Sequence, residues 1–177
     1  MSYFYPLTAI LLYFLIAWQD IRYRAVNWIL FLLLAIANIS YSFYGLHIPL
    51  GALLQQTGLN MLLIGSQLLL LKLYFSLRNG KVVTIADRYI GWGDIVLYGA
   101  LCLLFPPLIL MCFHLLSLLC CLLLYAVLHF SGRTPDTGQV PLAGIQCCLL
   151  LVMAAIQLVQ PFPLYDDTWL LNLLPHA

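Results

Sequence analysis

Residues 95–130 read IVLYGALCLLFPPLILMCFHLLSLLCCLLLYAVLHF, and the proline pair Pro106–Pro107 in their middle decides the fold. As one kinked helix this stretch would run to roughly 54 Å, against a hydrocarbon core of about 30 Å. Two helices turning at the prolines fit a bilayer; one does not. Working outward, apolar runs recur between short polar breaks. They predict helices at Tyr3–Trp18, Trp28–Leu46, Gly51–Leu71, Ile95–Phe105, Leu108–Phe130 and Leu142–Val159. The expected fold is an all-α polytopic membrane protein of six transmembrane helices, forming a single membrane-embedded domain over residues 1–177.

Composition agrees with that reading. Of 177 residues, 64% are apolar and only 7% charged, with no glutamate. A soluble domain has about 45–50% apolar and a quarter charged residues, so that class is excluded. Disorder requires low hydrophobicity and high net charge, and is excluded as well. The net charge of +1 leaves no footprint for nucleic acid. The first apolar run has neither a basic leader nor a small-residue cleavage site, so it is expected to stay as a permanent helix. The six cysteines lie in leucine-rich runs without metal-ligand spacing, which points to small buried hydrophobes.

Charge placement sets the expected sidedness. With six crossings, Arg22, Arg24, Lys72, Arg78, Lys81, Arg88 and Arg133 all fall in one set of loops, and the opposite loops hold no basic residue. The positive-inside rule makes those loops cytoplasmic and puts both termini outside. Tyr165 and Trp169 in the tail suggest that it lies at the outer interface.

Acidic groups near bilayer depth are costly and are functional candidates by default. Asp20 closes the first helix in Trp18-Gln-Asp-Ile-Arg, and Asp94 opens the fourth in Gly91-Trp-Gly-Asp-Ile. The topology brings both to the cytoplasmic boundary. Taken alone, Asp94 reads as an ordinary N-cap. Asp20 opposes its helix dipole, although Arg22 and Arg24 would offset its charge. Taken together they suggest aspartyl-protease chemistry. Two close carboxylates do not both ionise, so one accepts a proton from water while its partner donates to the peptide carbonyl. Glycines flanking Trp92 would let backbone or substrate approach closely.

The other polar groups carry less. Asp87 reads as a solvated loop residue. His114 and His129 read as satisfied or interfacial histidines, and Asn60, Gln67 and Gln146 as bonds between helices. Lys81 and Arg88 read as topology determinants.

Gly91-Trp92-Gly93-Asp94 resembles the GxGD motif of membrane aspartyl proteases. Asp20-Ile-Arg-Tyr-Arg-Ala-Val-Asn27-Trp is similar to the first aspartate motif of the prepilin peptidases. Gly138-Gln-Val-Pro141-Leu-Ala-Gly resembles that family's C-terminal segment, in which a hydrophobic–Pro pair opens the last helix. The resemblance covers nearly the whole chain. It implies a bacterial-type inner-membrane endopeptidase, its site facing the cytoplasm, that cleaves the leader of a prepilin or pseudopilin after a glycine just before the substrate's hydrophobic helix. Asp20 and Asp94 would be catalytic, Gly91, Trp92, Gly93, Asn27 and Pro141 supporting, and no metal or organic cofactor would be needed. Two departures stand out. Val26 replaces the family proline before Asn27, and the N-terminal methyltransferase region of bifunctional members has no counterpart. Presenilin-like proteases fit less well, because 177 residues do not hold their larger helix set. The competing class is a non-enzymatic or degenerate membrane transport or assembly subunit, with the same aspartates as ion or partner contacts.

Overall fold

A computed structural model describes residues 4–82, 84, 90–130, 142–159 and 165–167. Asp87, Arg88, Arg133, Pro141 and Trp169 lie outside the described residues, as does the side chain of His129. The described chain is all-helical: α1 (Phe4–Tyr23), α2 (Trp28–Tyr44), α3 (Leu50–Asn79), α4 (Trp92–Cys102), α5 (Pro107–Phe130) and α6 (Leu142–Val159). Leu50–Asn79, Pro107–Val127 and Leu142–Val159 are long and apolar enough to cross a membrane. The 11 residues of α4 span only about 16 Å, half of a hydrocarbon core.

The helix ends follow from local chemistry. Asn27 caps α2, its side-chain oxygen accepting from the Ile29 N–H at 3.1 Å, while its own N–H donates to Gln19 Oε1 at 2.9 Å. The turn expected of a proline is therefore closed by two side chains instead. Helix α3 does not end at Leu71 as the charges suggested. Lys72 and Arg78 are good helix formers, and the helix continues until Gly80 takes a left-handed φ of 63°. Lys72 and Arg78 thus sit on a helix rather than in a loop. Likewise α1 runs past Asp20 to Tyr23 and ends where Arg24 adopts φ 52°.

The proline pair does separate two helices. Pro107 takes the first position of α5, where a missing N–H costs nothing. Helix α5 then folds back along α4, bringing His114 against Tyr98 and Phe113 against Phe105. Short α4 is the hub of the bundle, burying Leu97, Tyr98, Ala100, Leu101 and Cys102. Phe31 and Leu34 of α2 and Cys147 and Leu150 of α6 pack around it, and Ile16 and Ala17 of α1, seated on α6 and α2, complete the same core. By contrast, 30-residue α3 buries only Leu53 and Asn60.

A helix that stops inside a bundle leaves its last carbonyls without partners, and in an apolar interior each would cost several kcal/mol. Four side chains answer them. Asn38 Nδ2 donates to Ala100 O at 2.8 Å, and the Ser42 hydroxyl to Leu103 O at 3.1 Å. Gln56 Nε2 donates to Leu104 O and Phe105 O, and Asn60 Nδ2 to Cys102 O and Phe105 O. The expectation that Asn60 and Gln146 bond between helices holds; Gln67 is exposed. At the same end, Tyr5 stacks on Tyr41 at 3.8 Å, and Tyr165 of the tail seats between Tyr41 and Phe105. All six cysteines are free, but Cys112 and Cys148 are exposed, so not every cysteine is a buried hydrophobe.

Candidate functional site

Asp20 lies in the last turn of α1, about 24 Å along the helix from Phe4 at 1.5 Å per residue. Asp94 lies in the first turn of α4 and is only 8% exposed. It is not the N-cap that the sequence suggests. Gly91 holds that position, and Asp94 is the third helical residue, its Oδ2 accepting from the Gly91 N–H at 3.2 Å. The side chain reaches back over the helix start, an arrangement that favours a carboxylate at the positive end of the dipole.

The two carboxylates meet at a third element. Asp20 Oδ2 accepts from the Gly144 N–H at 2.6 Å. The Ala143 N–H lies against the Asp94 carboxylate, and the two aspartates are within electrostatic reach of each other. Ala143 and Gly144 belong to the first turn of α6, where backbone N–H groups have no partner within the helix. Three helices, far apart in sequence, thus converge on two acids, with one helix N-terminus shared between them.

Gly144 makes this closeness possible. A Cβ there would come within 3.0 Å of both Asp20 Oδ2 and Ile21 Cγ1. Gly144 closes the segment Gly138-Gln-Val-Pro141-Leu-Ala-Gly, which the resemblance singled out without giving this glycine a role; the small pair Ala143–Gly144 was its signal. Gly91 is also tight, since a Cβ would stand 3.3 Å from Asp94 Oδ2. Gly93 is different: its nearest neighbour is Phe31 at an ordinary 3.6 Å, so it permits no special approach. Trp92 is exposed at 59%, unlike the buried Asp94 two residues on. Asn27 shapes the α1–α2 turn through Gln19 and Ile29 and touches neither carboxylate.

One turn deeper lies a polar cluster. The Tyr98 hydroxyl pairs with His114 Nδ1 and accepts from Gln146 Nε2, which also reaches Ser117 Oγ at 3.5 Å. His114 is therefore a satisfied histidine, as expected. Beside Asp94, α2, α3 and α4 enclose an apolar groove of about 640 Å³, lined among others by Trp28, Phe31, Met61, Gly65, Ile95 and Gly99.

Comparison with known protein families, curated proteins and solved structures returns no match for this chain.

Proposed function

We propose that this chain is a membrane aspartyl endopeptidase of the prepilin-peptidase type, with Asp20 and Asp94 as the catalytic pair. One observation carries the proposal: two acids 74 residues apart are brought together on the amides of a single helix N-terminus. Those amides and the helix dipole offset the charge of one carboxylate, and the neighbouring acid retains a proton. A water held between them would lose its proton to the charged partner as it attacks the scissile carbonyl. The protonated partner would give its proton to the carbonyl oxygen.

In this reading all six helices cross or enter the bilayer, with both termini outside and the acids at the cytoplasmic boundary. Half-length α4 enters from that side with Asp94 at its mouth. The apolar groove beside Asp94 suits the hydrophobic helix of a substrate, whose leader would then lie across the pair. Because the cytoplasmic segments are basic, simple attraction does not capture a basic leader; the groove and the carboxylates do.

The runner-up is a transport or assembly subunit without catalysis. It is favoured by the finding that each acid already has a structural hydrogen bond, Asp20 to Gly144 and Asp94 to Gly91. Co-expression with candidate prepilins, followed by N-terminal sequencing of the products, separates the two. The peptidase yields a new N-terminus just before the substrate helix. Intact leaders with every candidate would favour the subunit.

A further inference from the structure

We propose that Tyr98 is a positioning residue for the aspartate pair, holding Asp94 against Asp20 through its bonds to α5 and α6. The proposal rests on the peptidase reading of that pair. Tyr98 follows Asp94 by one helical turn on the same face of α4 and is 6% exposed. Its hydroxyl pairs with His114 of α5 and takes a hydrogen from Gln146 of α6. Gln146 lies two residues beyond Gly144, whose N–H holds Asp20. A closed path therefore runs from Asp94 through Tyr98, Gln146 and Gly144 to Asp20, and one hydroxyl fixes its width.

Packing alone does not call for these groups. At neighbouring levels the same helices meet through Leu97, Leu101, Cys147 and Leu150, all apolar. Phenylalanine and leucine would fill the places of Tyr98 and Gln146 without polar atoms to satisfy. Instead, Gln146 is fully buried and its Oε1 has no hydrogen-bond partner. Such an acceptor is a standing cost. It lies one turn from the acids, at the level where a supporting shell fixes the geometry of a site.

The test uses the full chain in lipid nanodiscs, comparing wild type with Tyr98→Phe, Gln146→Leu, His114→Leu and His114→Gln. The last of these keeps an acceptor for the Tyr98 hydroxyl. Misplacing a reacting group by about 1 Å costs up to about 100-fold. Tyr98→Phe, Gln146→Leu and His114→Leu should therefore lower kcat on a cleaved prepilin by about 10- to 100-fold, with KM held within about twofold in Gln146→Leu and His114→Leu, whose side chains do not line the groove as Tyr98 does. His114→Gln should recover most of the loss. Infrared titration of the protonated carboxyl band, assigned by its absence in Asp94→Asn, should show a displaced midpoint in the first three variants only. This readout needs no substrate. If wild type cleaves no prepilin, the peptidase reading fails, and the infrared arm still decides whether Tyr98 positions the pair. If Tyr98→Phe does not fold, the two His114 variants carry the same comparison. Wild-type kcat together with an unmoved carboxyl band in Tyr98→Phe, or in His114→Leu where that pair stands in, would overturn the proposal.

Discussion

Gly144→Ala sets two effects against each other, and the structure decides the sign. In an ordinary helix interior, Gly→Ala stabilises by about 1 kcal/mol. Gly58 on α3 offers that ordinary case, since nothing lies within 4 Å of where its Cβ would be. At Gly144 the new methyl would stand 3.0 Å from both Asp20 Oδ2 and Ile21 Cγ1. Overpacking of this kind costs about 1–3 kcal/mol. Net, Gly144→Ala should be neutral to about 2 kcal/mol destabilising, whereas Gly58→Ala should gain about 1 kcal/mol. The displacement falls on the carboxylate itself, so cleavage should drop by at least tenfold while Gly58→Ala cleaves normally. Reversible unfolding in detergent, read beside prepilin cleavage by the same preparations, checks both. If Gly144→Ala is as stabilising as Gly58→Ala and fully active, Asp20 does not depend on close approach to α6, and the convergence argument fails.

Asp20→Asn and Asp94→Asn should each abolish leader cleavage with thermal stability near wild type, because an amide oxygen still accepts from Gly144 or Gly91; the double variant should be no worse than either single. Asp87→Asn should cleave normally, and full cleavage by Asp20→Asn or by Asp94→Asn would refute the proposed mechanism. A reporter fused after Ala177 should read outside and one at Arg133 inside; a cytoplasmic C-terminus would overturn the six-crossing topology with both termini outside. Asn60→Leu should cost about 1–3 kcal/mol in unfolding experiments, since it takes the side-chain donor from Cys102 O and leaves Phe105 O with Gln56 alone, whereas Gln67→Leu at an exposed position should stay within about 0.5 kcal/mol.

Much of the helical order was legible because it rests on local signals. Pro107 can begin a helix but not continue one, and Leu142 opens α6 where the apolar run begins. Asp20 and Asp94 announced themselves as acids set against long apolar runs. What escaped the sequence depends on three-dimensional neighbours. Nothing local says that α3 outruns Lys72, because a charged residue in a helix and one in a loop look alike until Gly80 is known to turn. Asp94 looked like an N-cap because Gly91 has no side chain to reveal that it occupies that position. Gly144 is one of several small residues near Pro141, and only Asp20, arriving from the far end of the chain, gives it meaning.

The foreshortened α4 bears on how the chain is made. In the proposed topology, a segment of 11 residues with open carbonyls at one end would be poorly suited to leave the insertion machinery on its own and enter lipid. The side chains that receive those carbonyls, Asn38, Ser42, Gln56 and Asn60, belong to α2 and α3, which are synthesised first. Chain order thus delivers the receptor before the stub that docks into it. In that topology loosely packed α3 would have a use in biogenesis that its scant burial does not suggest. Losing Asn60 should accordingly reduce the amount of correctly inserted protein, over and above its effect on the finished fold.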